Sequence, residues 1–219
     1  MAPDAVRVAR AKAIVAYLKR VYPLPKSELT YTTPFQFLVA VMLSAQCTDK
    51  KVNQVTERLF KKYQTPADFA ALDEQTLAPQ IASITYFNAK AKHVIATARK
   101  VQKEFGGTVP KTEVELVSLP GVGYKTAHVV MGELYDAWEG IPTDTHVKRF
   151  AHRFELTRQT DLKKISKDLE ALVPKSDWKY VNNGLVLYGR YVCPARPHEC
   201  TGHPLTKIWP PSATRWPKA

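Results

Sequence analysis

The sequence predicts an all-α fold, and three observations support that prediction. About eleven segments space their apolar side chains at helical intervals. No segment alternates apolar and polar residues as a half-buried strand does, and the predicted connections are only a few residues long. With 219 residues and a hydrophobic content of 45%, the chain is long and apolar enough to build a substantial core.

The first half of the chain supplies six predicted helices. Residues 4–20 form an amphipathic helix with a basic face. Thr33 and Pro34 are a typical cap and first-turn pair. The nearly all-apolar segment 35–46 that follows is too short to cross a membrane, so it predicts a buried helix. The other helices predicted in this half are 49–62, 65–72, 74–82 and the long basic helix 88–105.

The second half supplies five more predicted helices and a tail. Residues 112–118 and 124–135 flank a turn that contains two glycines, and helices are also predicted at 143–154, 161–172 and 177–192. From residue 193 the chain is rich in proline, which predicts an irregular but packed tail.

The charge and cysteine content narrow the class of protein. The formal net charge of +12 favours a polyanionic partner; nucleic acid is the commonest, and an anionic membrane surface is the alternative. No apolar signal segment is visible at the start, and no apolar run reaches the roughly 18 residues of a membrane span. Three cysteines, an odd number, argue against a disulfide framework. We therefore expect an intracellular protein, in the cytoplasm, nucleoid or nucleus, that is not secreted.

The turn at residues 119–126 is the most informative stretch. Pro120 ends one helix, and Gly121 and Gly123 allow the chain to turn tightly and to approach a ligand closely. The helix that follows begins with N–H groups that favour an anion. Lys125 lies in its first turn, where the helix dipole disfavours a cation, so the lysine suggests a function. The alternative is an ordinary turn with a surface lysine.

Two residues in or near this turn, Lys125 and Asp144, are candidates for a catalytic role. The amine of Lys125 could contact a phosphate or act as a nucleophile, and a nucleophilic amine must be neutral, which partial burial and nearby positive potential favour. Asp144 begins the helix at 143–154. It could be a plain helix cap, or a carboxylate that activates an amine or a water and stabilises an oxocarbenium ion. His146 is interpreted as a packed or capping residue rather than as a catalytic one.

Several short motifs follow one another along most of the chain. They are Leu43-Ser44-Ala45-Gln46, Thr48-Asp49, Asn88-Ala89-Lys90-Ala91, the 119–123 turn with Lys125-Thr126-Ala127, Asp144-Thr145-His146, Gly189-Arg190-Tyr191 and Cys193. Motifs in this order are specific. On them, the chain resembles the endonuclease III-like enzymes of the helix-hairpin-helix DNA glycosylase superfamily.

The resemblance implies a DNA-repair enzyme that removes oxidised pyrimidines and then cuts the strand at the abasic site. Lys125 matches the family's nucleophile, which attacks C1′ of the deoxyribose and forms a Schiff base. Asp144 matches the family's catalytic carboxylate. Among DNA contacts, Gln46 matches a residue that enters the space of the extruded base, and Tyr86 stands where the family usually has a leucine wedge. The alternative for Tyr86 is a core aromatic residue.

The resemblance also implies further contacts and an architecture. The remaining DNA-binding residues implied are Gly121, Gly123, Thr126 and His146. The fold implied is two helical modules with a cleft between them. One module spans 22–134 and contains the hairpin, and the other combines 1–21 with 135–219. The partner implied is double-stranded DNA with damaged bases or abasic sites. We also expect the protein to be a monomer that does not bind a membrane.

The tail departs from the family, which usually ends in a C-x6-C-x2-C-x5-C motif that holds a [4Fe–4S] cluster. Cys193 and Cys200 keep the first spacing, but the third and fourth positions are His203 and Trp209. Four thiolates are the usual requirement, so we expect no cofactor and no cluster. Instead, Trp209, Pro210, Pro211 and Trp216 would pack in its place. A zinc site is the alternative, from Cys193, His198, Cys200 and His203.

Two other functions stay open at this point. One is a monofunctional glycosylase of the same superfamily that acts on mismatched thymine or uracil, although it would not need the amine of Lys125. The other is a non-catalytic helix-hairpin-helix DNA-binding protein, which would need neither Lys125 nor Asp144. Thr85 and Tyr124 stand where the family often has glycine and arginine, and they leave the preferred lesion open.

Overall fold

The structure, a computed structural model, describes residues 4–215 and divides them into two compact units. We call Ser27–Ala137 the hairpin unit, and residues 4–26 with 138–215 the terminal unit. Over the described range the regular structure is helical and no strand occurs, so the prediction of an all-α fold is confirmed.

The hairpin unit contains seven helices around one apolar core. Its buried centre is α2 (Pro34–Ser44), in which nine of eleven residues are buried. This helix packs against α3 (Asp49–Lys62), α6 (Phe87–Glu104) and α8 (Tyr124–Tyr135). Threonine caps begin α2, as predicted, and also α3, because Thr33 and Thr48 accept hydrogen bonds from first-turn N–H groups. The other helices of this unit are α4 (Pro66–Ala70), α5 (Glu74–Gln80) and α7 (Glu113–Val117).

The terminal unit joins the two ends of the described chain around a second core. Leu18, Phe150, Tyr188 and Leu205 are fully buried there and come from four different helices. The helices are α1 (Ala5–Val21), α9 (Thr145–Arg153), α10 (Leu162–Glu170), α11 (Leu185–Tyr191) and α12 (Pro204–Ile208). Burial of these side chains is the main favourable contribution to the stability of this unit.

Two segments differ from the prediction. The helix predicted at 177–192 is a 3-10 turn (Lys175–Asp177), a π-helical turn (Tyr180–Gly184) and then α11. The tail is also more regular than predicted, because Pro204 occupies the first turn of α12 and Pro210 begins another 3-10 turn, Pro210–Thr214. Proline at a first helical position needs no hydrogen bond from its nitrogen, so these prolines start helical turns rather than break them.

The length and the apolarity of each helix decide whether it could cross a membrane. Within residues 4–215, no helix combines the length and the apolarity that a bilayer crossing requires. The most apolar helix, α2, has eleven residues, and its side chains form the centre of the hairpin unit.

Candidate functional site

Side chains of α6 pack against the turn between α7 and α8 and donate hydrogen bonds to it. Gly121 has φ +78°, a conformation that favours glycine, and a Cβ added there would lie 2.7 Å from the His93 side chain. Thr97 donates a hydrogen bond from Oγ1 to the carbonyl of Pro120 at 2.7 Å. Lys100 donates from Nζ to the carbonyl of Ser118 at 3.0 Å. The path of the turn is therefore fixed by side chains of the long helix beneath it.

Gly123 differs from Gly121 in its surroundings. It is the N-cap of α8 with φ −92°, and a Cβ added there would meet nothing within 4 Å. As a glycine it has no side chain to accept from the N–H groups of the first turn, and it is exposed. The backbone at the start of α8 is thus open to an incoming group, and the N-terminus of a twelve-residue helix favours an anion.

The two glycines are expected to respond differently to alanine. Gly121→Ala combines an unfavourable φ with a contact against the His93 ring, so we expect it to lower the free energy of unfolding by about 2–4 kcal/mol. Gly123→Ala meets no atom and should change stability by less than about 1 kcal/mol. Urea denaturation of both variants measures the difference, and equal losses would contradict the geometry.

Lys125 is the second residue of α8 and its side chain is exposed. The partial burial expected for this side chain is therefore not found. Thr126 follows it, half-buried, in the same first turn. One turn further on, His128 Nε2 lies 2.6 Å from Glu113 Oε2, and its ring lies 4.0 Å from that of Tyr124. Tyr124 and His128 thus link the start of α8 to α7, while Lys125 extends away from the core.

Gln46 and Tyr86 lie on two loops that are joined to each other. Thr85 donates a hydrogen bond from Oγ1 to the carbonyl of Gln46 at 3.1 Å. Gln46 has φ +55° and Tyr86 has φ +57°, so both adopt the left-handed conformation that non-glycine residues rarely take. Tyr86 is 64% exposed, which excludes the alternative that it is a core aromatic residue.

Lys90 is a residue whose role the sequence did not indicate. Its side chain is buried, and Nζ donates to the carbonyl of Leu43 at 2.8 Å and to that of Ala45 at 2.6 Å. Burial lowers the pKa of this amine from its usual value. The ammonium caps the C-terminal end of α2, where the helix leaves carbonyl groups without partners, and it holds the backbone directly before Gln46. In the sequence, the indication of this role was a lysine on the buried face of α6.

Replacing Lys90 with methionine keeps much of the side-chain length but removes the hydrogen-bond donors. We expect the variant to lose about 1–3 kcal/mol of stability, because buried carbonyls are left without a partner. Amide hydrogen exchange at residues 45–47 should become faster, since the loop loses its anchor. Lys92→Met, an exposed position on the same helix, is the control and should change stability by less than about 0.5 kcal/mol. Unchanged exchange at 45–47 in Lys90→Met would contradict this role.

Asp144 is the N-cap of α9, as the interpretation of this residue as a helix cap predicted. Oδ1 accepts from the backbone N–H groups of His146 and Val147, each at 2.9 Å. Oδ2 lies 3.1 Å from Nδ1 of His146. Both side chains are partly accessible, with 17% of Asp144 and 27% of His146 exposed. The cap therefore uses one carboxylate oxygen for the backbone and directs the other toward an imidazole, which leaves a chemical role open.

Gly189 lies on α11, where the absence of a side chain leaves space for His146 and Arg149 of α9. A Cβ at Gly189 would lie 2.6 Å from Cδ2 of His146 and 2.8 Å from Nη2 of Arg149. Only glycine lets α11 pack this closely on α9. The sequence motif included Gly189, but its packing role was visible only in the fold.

The C-terminal segment gathers four potential metal ligands. One ligand atom from each side chain lies within 4.8 Å of the others, and the four residues are Cys193, His198, Cys200 and His203. The prediction that the chain carries no cofactor is therefore wrong. It rested on His203 and Trp209 in the last two cysteine positions, whereas the fold takes its fourth donor from His198.

The structure describes three of the four residues that were expected to fill this region. The ring of Trp209 packs against the guanidinium of Arg10, with 3.4 Å between Cζ and the ring centroid. Pro210 and Pro211 form the start of the last 3-10 turn. Trp216 lies outside the described residues.

Both thiols contact a buried arginine. Arg153 is fully buried on α9 and donates to Cys193 Sγ at 2.8 Å and to Cys200 Sγ at 3.0 Å. Burial raises the pKa of the Cys193 thiol, and the Arg153 guanidinium opposes that effect. Burial also lowers the pKa of His203, which favours the neutral imidazole that binds metals. An arginine on the apolar face of α9 was the only signal for this contact in the sequence.

Comparison with known proteins identifies the family. Residues 39–175, more than half of the chain, match the HhH-GPD superfamily of base excision DNA repair proteins. The chain belongs to the HhH-GPD superfamily. It is similar to endonuclease III of a Synechocystis species, with 42% identity over 201 residues and 92% of each chain covered. Endonuclease III of Bacillus subtilis is 40% identical over 188 residues, which cover 85% of each chain.

Solved structures agree with this HhH-GPD assignment. A trapped covalent intermediate of endonuclease III with DNA matches with a TM-score of 0.85 and 35% identity, over 92% of this chain and 94% of that one. In this HhH-GPD protein the hairpin unit carries Gln46, Tyr86, Gly121, Gly123, Lys125 and Thr126, whereas the terminal unit carries Asp144, His146 and the four metal-ligand candidates.

Proposed function

We propose that this HhH-GPD protein is a base-excision-repair DNA glycosylase with AP lyase activity that removes oxidised pyrimidines. The observation that carries the proposal is Lys125, an exposed primary amine in the first turn of α8, directly after a turn that is open to an incoming group. A monofunctional glycosylase needs no amine nucleophile, and endonuclease III relatives cover most of this chain. The enzyme acts on double-stranded DNA, and we expect it in the compartment that contains this DNA.

Lys125 supplies the covalent step. Its neutral amine attacks C1′ of the damaged nucleotide, a C–N bond forms, and the glycosidic bond breaks with its electron pair leaving on the base. The base takes up a proton and departs. Opening of the sugar ring then gives a Schiff base between Nζ and C1′. Loss of a proton from C2′ expels the 3′ phosphate by β-elimination, which cuts the strand.

Asp144 assists that step as an anion. Its carboxylate stabilises the positive charge that develops on the sugar as the base leaves. The N-cap hydrogen bonds at Oδ1 fix the orientation of the carboxylate. His146, at 3.1 Å from Oδ2, is proposed as a DNA-contacting residue that also positions this oxygen.

DNA binding uses the backbone of the hairpin and the joined loops. The start of α8, with Gly121, Gly123 and Thr126, binds a backbone phosphate and so fixes the register of the strand. The base must leave the stack before the amine reaches C1′. Gln46 enters the vacated space and Tyr86 wedges between bases, and their exposed positions on hydrogen-bonded loops support both roles. The net charge of +12 favours phosphate contacts generally.

Three duplexes test the proposal: one with an oxidised pyrimidine such as thymine glycol, one with an abasic site and one undamaged. We expect release of the oxidised base, cleavage of both damaged strands, and a covalent adduct when borohydride reduces the Schiff base. Base release without an adduct would indicate a monofunctional glycosylase. Binding without base release or cleavage would indicate a non-catalytic DNA-binding protein. Either outcome would refute the bifunctional reaction.

A further inference from the structure

We propose that the terminal unit binds one divalent metal ion of the zinc class through two thiolates and two imidazoles. The ligands are Cys193, His198, Cys200 and His203, whose ligand atoms all lie within 4.8 Å of one another. The two cysteines are buried and the two histidines are half-buried, so the group lies at the edge of the core. None of these residues takes part in the proposed reaction.

The spacing of the donor atoms fits a single ion. Zinc–ligand bonds of about 2.0–2.3 Å in a tetrahedron place neighbouring ligand atoms roughly 3.3–3.8 Å apart. Atoms within 4.8 Å of one another reach that spacing through small side-chain rotations. The donor types agree, because structural zinc sites commonly use two cysteines and two histidines, whereas [4Fe–4S] clusters are held by four cysteine thiolates.

The histidines are oriented as metal ligands are. Nδ1 of His198 lies 2.7 Å from the carbonyl oxygen of Arg196, so this nitrogen carries the proton and donates. The lone pair of His198 is therefore on Nε2. Such a carbonyl contact on the non-ligating nitrogen is the usual way that proteins fix a metal-binding imidazole. His203 has its Nδ1 buried and without a hydrogen-bond partner in the described part of the chain, which is costly unless another group fills that position.

Arg153 adds an outer layer of hydrogen bonds. It donates to both sulfur atoms, and its Nη2 also donates to the carbonyl of Ser212 at 2.6 Å. The same buried guanidinium thus lies within hydrogen-bond distance of both sulfur atoms and fixes their positions relative to each other. Two thiolates balance the charge of a divalent ion, and hydrogen bonds to ligating sulfur are typical of the second layer of metal sites.

Metal analysis of the purified full-length protein tests the proposal. We expect about one equivalent of zinc per chain by plasma mass spectrometry, with no matching inorganic sulfide. After removal of the metal with a chelator, added Zn²⁺ should restore about one equivalent, and Co²⁺ should give the visible spectrum of a tetrahedral thiolate site. Cys200→Ser and His203→Ala should lower the zinc content to below about a tenth of an equivalent.

Controls separate ligation from general unfolding. Cys47→Ser removes the cysteine of the hairpin unit, and His152→Ala removes a histidine that hydrogen-bonds to the carbonyl of Gln159 and is not among the four ligands; both should keep their zinc. His203→Cys should bind zinc again, since a thiolate replaces the imidazole. A metal-free protein that does not take up added zinc, stoichiometric iron with sulfide, or unchanged zinc in His203→Ala would each overturn the proposal. Because metal content is measured without DNA, these results are independent of the proposed glycosylase activity.

Discussion

Lys125→Ala is expected to abolish strand cleavage at an oxidised pyrimidine and to remove the borohydride-trapped adduct. Loss of a nucleophile removes the covalent route altogether, so the single-turnover rate of cleavage should fall by about three orders of magnitude or more. The side chain is exposed at the second position of α8, and alanine is a good helix former, so stability should change by less than about 0.5 kcal/mol.

Lys163→Ala is a matched control for this variant. Lys163 is also an exposed lysine at the second position of a helix, α10, so its replacement removes the same charge from an equivalent backbone position. We expect its cleavage rate to stay within about threefold of the unmodified enzyme at moderate salt, since one phosphate contact at most is lost. Comparable losses in both variants would mean that Lys125 contributes only positive charge.

Asp144→Asn is expected to slow base excision by about two to three orders of magnitude while leaving the protein folded. The amide oxygen of asparagine can still accept from the N–H groups of His146 and Val147, and asparagine is as good an N-cap as aspartate. The variant therefore removes the negative charge but keeps the cap. Asp144→Ala removes both, so it should have the same kinetic defect and an additional stability loss of about 1 kcal/mol.

The control for Asp144 is another capping aspartate. Asp161 begins α10 and accepts from the backbone N–H of Lys164 at 3.0 Å. Asp161→Asn should leave both stability and single-turnover excision unchanged within error. Full excision activity in Asp144→Asn would show that the residue only caps α9, and the proposed catalytic role would then be wrong.

The helices could be predicted from the sequence wherever local signals agreed. Thr33 with Pro34 marks the start of α2, and the apolar run after it predicts the buried centre of the hairpin unit, as found. The segment at 177–192 could not be predicted in detail. Gly184 lies in the π-helical turn, and a Cβ there would lie 3.3 Å from Cβ of Leu18, a residue far away in the sequence. Packing of that kind has no local signal.

The candidate site was predictable in its motifs but not in its supporting contacts. Lys125 and Asp144 stand in short, specific motifs, whereas the roles of Lys90 and Gly189 depend on helices that meet only in the fold. The metal-ligand group was only partly predictable. The sequence offered Cys193, His198, Cys200 and His203 as the alternative to a metal-free tail, but the convergence of these four side chains is visible only in the fold. Linear spacing alone does not determine which side chains converge.

The proposed reaction requires that the amine of Lys125 form the covalent bond to C1′ of the damaged nucleotide. The most direct measurement reacts the unmodified protein with a duplex that carries an oxidised pyrimidine, reduces the Schiff base with borohydride, digests the adduct and locates the modified residue by mass spectrometry. We predict that the sugar remnant lies on Lys125. A remnant on another lysine or on the N-terminal amine, or a protein that releases the base and cuts the strand without forming an adduct, would contradict the claim.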